Sequence, residues 1–144
     1  DGIRYANKGI LLDTGHLMNC CTELRSQSEG AAYISAMLDR HGSLSAMIRG
    51  VHFHQSLSGP YVQSHTGRLP EEWPEEFGQR FSINYAHVLQ IDQHRPWTDP
   101  AILPVLERID PTWLTHELTS RARAERVQAV ETQQVLLRKR ENIP

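Results

Sequence analysis

Carboxylates and imidazoles recur in this chain as close pairs. The apolar run Ile10-Leu11-Leu12 delivers Asp13, and His16 follows across Thr14-Gly15. Arg49-Gly50-Val51-His52-Phe53-His54 carries two imidazoles two residues apart, Asp92-Gln93-His94 is a third pair, and His116-Glu117 a fourth. Carboxylate oxygen mixed with imidazole nitrogen is the ligand set of hydrolytic and isomerase centres holding a divalent ion such as Zn or Mn. It is not the thiolate set of structural zinc. The candidate ligands are Asp13, His16, His52, Asp92, His94 and Glu117. That is more than one catalytic ion needs, which points to two ions or to one ion with substrate-binding imidazoles. Taken singly, Asp92 reads as a helix-end residue and Glu117 as a surface carboxylate. His41, His65 and His87 read as solvated helix or loop residues.

The pattern gains weight from the elements that must position it. Residues 8–13 read as a buried strand left through Thr14-Gly15. Residues 28–38 read as a helix capped by Ser28, with Ala31, Ile34, Met37 and Leu38 on one face and Gly42 closing the segment. Residues 48–54 form a second strand whose alternation puts Val51 and Phe53 on one face and His52 and His54 on the other. A loop over residues 55–74, with Tyr61, Arg68 and Trp73, reads equally as a lid or as a surface excursion. Residues 77–90 read as a helix burying Phe77, Phe81, Tyr85 and Val88. Residues 99–109 read as another, capped by Asp99 with Pro100 in its first turn. Residues 113–118 give a third strand, and residues 121–138 a charged last helix with Val127, Val130 and Leu137 inward.

The order β-α-β-α-α-β-α predicts parallel β/α units. In such folds functional groups gather at the C-terminal ends of the strands. Asp13, His52, His54 and Glu117 all fall there. Four pairs at the same end of successive units carry more weight than any one of them.

The chain has 144 residues, a net charge of -2 and 39% hydrophobic residues, the numbers of one globular domain. No basic excess points to nucleic acid, no segment is long and apolar enough for a membrane, and no signal-peptide core opens the chain. Cys20 and Cys21 are adjacent, so reduced thiols and a cytoplasmic setting are expected. Three strands do not close a sheet, and a (β/α)8 barrel takes ~250 residues. The start at Asp1, without Met, agrees with the expectation of a fragment.

On Asp13-Thr14-Gly15-His16, Arg49-Gly50-Val51-His52, Asp92-Gln93-His94 and Glu117, the chain resembles the xylose-isomerase-like TIM barrels. That superfamily includes sugar phosphate isomerases/epimerases and endonuclease IV-type apurinic-site endonucleases. The resemblance implies an α/β fold, with residues 1–144 forming one partial domain: strands six to eight, with their helices, of a (β/α)8 TIM barrel. It implies that Asp13, His52 and Glu117 are metal ligands common to ketose epimerases and the endonucleases. His16 corresponds to a second-metal ligand in the endonucleases and a substrate-hydroxyl contact in the epimerases. Asp92 and His94 correspond to the pair completing the multi-zinc site, so a complete barrel holds one to three ions. Glu117 is also one of two acid/base carboxylates in the epimerases; its strand-five partner has no counterpart here.

The first functional expectation is therefore a metal-dependent sugar or sugar-phosphate isomerase/epimerase. Glu117 is its catalytic carboxylate, and His16, His54 and Arg95 contact substrate. The second is a phosphodiesterase acting on abasic DNA, favoured by the retention of Asp92 and His94. The acidic composition opposes it, as does His54-Gln55 where the endonucleases carry Asn-Asp. Arg121, Arg123 and Arg126 fall on the last helix, at the barrel's outer wall. The third is an inactive truncated barrel. The partners expected are a second copy of the chain or the missing N-terminal half-barrel.

Overall fold

The computed structural model describes residues 2, 4–68 and 73–139. Strand β1 (Ile10–Asp13) leads directly into helix α1 (Thr14–Asn19), followed by α2 (Gln27–His41) and a 3-10 segment, Gly42–Met47. Strand β2 (Ile48–His52) precedes α3 (Gly59–His65) and α4 (Phe77–Ile91). A short 3-10 turn, Pro100–Ile102, runs into α5 (Leu103–Ile109). Strand β3 (Trp113–Thr115) and α6 (Arg123–Arg138) complete the described chain. The three strands form one parallel sheet in the order β1-β2-β3. This is an alternating β/α arrangement around a parallel sheet, as the apolar runs and their helical spacers predict. It is compatible with part of a barrel.

Register decides what stands next to what. Asp13 pairs with His52, and His52 with Thr115, so the C-terminal ends of the strands are level. Val51 and Phe53 point to the helix side and are fully buried with Ile34, Trp97, Ile102 and Leu106. Leu11, Gly50 and Trp113 share the opposite face. There Leu11 is 56% and Trp113 65% exposed, so this face is uncovered among the described residues.

Several expectations need correcting. The cap of α2 is Ser26, not Ser28, because Glu29 lies three residues after Ser26 and closes a reciprocal capping box with it. Thr14-Gly15 is not a turn but the first turn of α1. The 55–74 segment contains α3, and β3 ends at Thr115, which leaves Glu117 in the following loop. The Phe77, Phe81, Tyr85 and Val88 stripe of α4 is not buried: Phe77 is 74% and Phe81 58% exposed. That helix packs mainly on α3 instead of the sheet, so its apolar face finds no described partner. On α6, Val127 is exposed, and Leu136 and Gln133 are the residues buried. Among the described residues no helix is long and apolar enough to cross a membrane. Both cysteines are free thiols.

Candidate metal centre

The Asp13-x-x-His16 spacing is the spacing of a helix cap. Asp13, the last residue of β1, is also the N-cap of α1, and one of its oxygens accepts the His16 backbone N–H at 2.8 Å. The cap turns the His16 ring back over the strand end, with Nδ1 3.3 Å from the other Asp13 oxygen. His16 Nε2 then lies 3.0 Å from Asp92 Oδ2.

His52 ends β2. Its Nδ1 stands 2.7 Å from Glu117 Oε2 and 3.4 Å from Asp13 Oδ2. His94 adopts a left-handed backbone (φ 46°), uncommon for a residue with a side chain. This turn puts its Nδ1 3.0 Å from the Glu117 carbonyl oxygen and its Nε2 2.7 Å from Asp92 Oδ2. A carbonyl only accepts, so Nδ1 is the donor in the first of these contacts.

His54 lies beneath these groups, fully buried. Its Nε2 is 2.9 Å from Asp13 Oδ1 and 3.9 Å from Glu117 Oε2. Its ring stacks on His94 and meets His16 edge-on. The backbone beneath it is pinned from two sides: Thr14 Oγ1 donates to the His54 carbonyl at 2.6 Å, and Trp97 Nε1 donates to it at 2.8 Å. Gln133, buried on α6, extends this support. It accepts the Trp97 backbone N–H at 2.8 Å, and its amide nitrogen lies 3.0 Å from the Phe53 carbonyl and 2.8 Å from His116 Nδ1. Burial holds His116 below its ordinary pKa, keeping it a neutral acceptor for that amide.

The donors fall into two sets, His16, His54, Asp92 and His94 in one and Asp13, His52 and Glu117 in the other; within each, ligand atoms lie within 4.8 Å of one another. Burial pushes the Asp13 carboxyl up. The His54 side chain, the His16 N–H and the charges of both imidazoles outweigh this and hold it well below the usual carboxylate range. Asp92 is likewise depressed, its burial outweighed by hydrogen bonds to His16 and His94. Burial works against a charged His16, but Asp92 first, then Asp13 and Glu117, hold it above its ordinary value.

Both His54 ring nitrogens, Asp92 Oδ1 and Glu117 Oε2 are buried without a well-aligned hydrogen bond. Leaving such groups unsatisfied costs about 1–3 kcal/mol each, more when charged. Unpartnered donor atoms within such clusters are what a divalent cation satisfies, and an oxygen–imidazole donor set suits Zn or Mn. These residues fit a metal.

All six expected ligands, Asp13, His16, His52, Asp92, His94 and Glu117, meet at the C-terminal end of the sheet. Arg95 is exposed beside them, its backbone paired with Gln55 in a short antiparallel bridge. His41, His65 and His87 are exposed and outside the centre. Sequence reasoning missed the support from Thr14, Trp97 and Gln133. The one available signal was Gln133, a polar residue on the inner side of α6 between Val130 and Leu137. Comparison with family models, with curated proteins and with solved structures finds no match for this chain.

Proposed function

We propose that this chain carries the metal site and one acid/base carboxylate of a divalent-metal-dependent sugar or sugar-phosphate isomerase/epimerase. The observation behind the reading is the convergence of Asp13, His52 and Glu117 at the C-terminal end of a parallel sheet. Residues 1–144 are then a single partial barrel domain of the xylose-isomerase-like kind. Asp13, His52 and Glu117 would hold a divalent ion, Zn or Mn, whose Lewis acidity would polarise a substrate carbonyl and acidify the neighbouring C–H.

Glu117 moves the proton at that carbon. Its Oε2 stands 2.7 Å from His52 Nδ1 and makes no well-aligned hydrogen bond, so it can take up a proton without first breaking one. His16, exposed at the mouth, contacts a substrate hydroxyl, and Arg95 contacts a hydroxyl or phosphate oxygen. Returning a proton from the opposite face needs a second carboxylate. The reading assigns it to an N-terminal half-barrel seated on the uncovered sheet face.

Exchange of substrate hydrogen with solvent needs only one of the two carboxylates, so this chain can be tested directly. Loaded with Mn and mixed in D2O with ketoses and ketose phosphates, it is expected to wash deuterium into the carbon beside the carbonyl. Glu117→Gln should slow this by about 10²–10⁴-fold. Absence of Glu117-dependent exchange across the panel contradicts the reading.

One observation favours a second reading. His16, Asp92 and His94 offer donors for a further ion, and paired ions suit in-line displacement at phosphorus. The net charge of -2 gives little attraction for a phosphate backbone. Incision of an abasic-site duplex by the Zn-loaded chain would favour this reading over the first.

A further inference from the structure

We infer that His54 is itself a metal ligand, coordinating through Nε2 the ion held by Asp13, His52 and Glu117 and completing a four-donor set. The inference deepens the metal-site reading above and rests on it. In place of a substrate contact it gives His54 a role suited to a side chain that no substrate reaches.

His54 is 0% exposed, and neither ring nitrogen makes a well-aligned hydrogen bond. An imidazole has two polar nitrogens, and sealing both away from water and from partners is costly. Nε2 nevertheless points at oxygen, 2.9 Å from Asp13 Oδ1 and 3.9 Å from Glu117 Oε2.

Bonds of 2.0–2.1 Å to a tetrahedral ion place neighbouring donors about 3.3 Å apart. His52 Nδ1 lies 2.7 Å from Glu117 Oε2 and 3.4 Å from Asp13 Oδ2, while His54 Nε2 approaches the other Asp13 oxygen, Oδ1. With the two His54 distances, these separations bracket that edge length, and the two imidazoles approach the Asp13 carboxylate through its two oxygens. Asp13, His52 and Glu117 alone are three ligands; Nε2 of His54 supplies the fourth.

Ring geometry separates His54 from the neighbouring set. Its donor atom also lies close to those of His16, Asp92 and His94. The His54 and His94 rings, however, are stacked with centroids 4.1 Å apart and planes inclined by only 1°. A ligated ion sits near the plane of its imidazole. Two parallel rings in van der Waals contact, about 3.5 Å apart, cannot both hold one ion in plane. His94 therefore serves the Asp92 side and His54 the Asp13 side. The stack separates the Asp13 donors from the Asp92 donors.

The test uses the intact chain labelled with ¹⁵N and loaded with ¹¹³Cd. One-bond ¹¹³Cd–¹⁵N coupling is expected at His52 Nδ1 and at His54 Nε2 from the same ion, with His54 Nδ1 protonated. Coupling at His52 without coupling at His54 overturns this inference and leaves the metal-site reading standing. No bound Cd, Zn or Mn overturns both. As a second measurement, His54→Phe fills the ring volume without a lone pair. It is expected to weaken Zn binding at one site at least ~10-fold, read by chelator competition. A folded His54→Phe chain with unchanged affinity and ion count also overturns it.

Discussion

The imidazole of His54 occupies the space that a side chain at position 15 would need: a Cβ on Gly15 would run into Cε1 and Nδ1 of that ring. Gly15 lies in the first turn of α1. An ordinary Gly→Ala change inside a helix stabilises by about 1 kcal/mol. Gly15→Ala is expected to have the opposite sign, destabilising by about 1–3 kcal/mol as the ring is pushed from its place. Urea denaturation measures it. An unchanged or raised midpoint would show that the His54 ring is not held against α1.

Gln133 anchors α6 to the metal-bearing end of the sheet. Gln133→Leu keeps the volume but leaves the Trp97 N–H and the Phe53 carbonyl without their partner. The expected loss is about 1–3 kcal/mol for each group left unsatisfied. Limited proteolysis should then cut within α6 before any other helix.

His116 has its pKa lowered below 6.5 by burial. Above pH 6.5 folded and unfolded chains both hold it neutral and it contributes no pH dependence. As pH falls below 6.5 the unfolded chain takes up the proton first, so stability drops through that window. His16 runs the other way. Its raised pKa gives stability that is full below 6.5 and is lost as pH rises through the folded value. Comparing wild type with His116→Asn isolates the first effect: the variant, still able to accept from Gln133, should lose less stability between pH 7 and pH 5 than wild type. Parallel melting curves for the two would contradict the assignment.

The aromatic stripe of α4 is exposed, so it carries little of this chain's stability. Phe77→Ser and Phe81→Ser should each move the unfolding free energy by no more than about 0.5 kcal/mol. Both should reduce self-association on sizing, because a contiguous exposed apolar patch promotes it. A loss of several kcal/mol would show the stripe to be packed.

The sheet was legible because its strands are short apolar runs ending in polar residues, and a parallel sheet puts those ends on one level. That placed Asp13, His52 and Glu117 without any knowledge of their contacts. The burial of α4 was not legible. Its Phe77-Phe81-Tyr85 spacing is that of a buried face, and periodicity shows that a face is apolar without showing what covers it. Helix α1 was hidden because Thr14-Gly15 reads as a turn; its cap is Asp13, a residue already claimed by the metal pattern. The depth of His54 was also hidden. Strand alternation placed it on the side of His52, but the ring layer of His16 and His94 above it is assembled from distant segments. Gln133 could be seen as an oddity on α6, though not as the acceptor for Trp97.

The central claim is that the strand-end carboxylates and imidazoles hold a divalent ion, and elemental analysis of the purified chain tests it most directly. The account predicts stoichiometric Zn or Mn in wild type, with the ion of the Asp13 site lost from a folded Asp13→Ala/His52→Ala variant. A folded wild-type chain that takes up neither metal, or a double variant that retains the full complement, would contradict it.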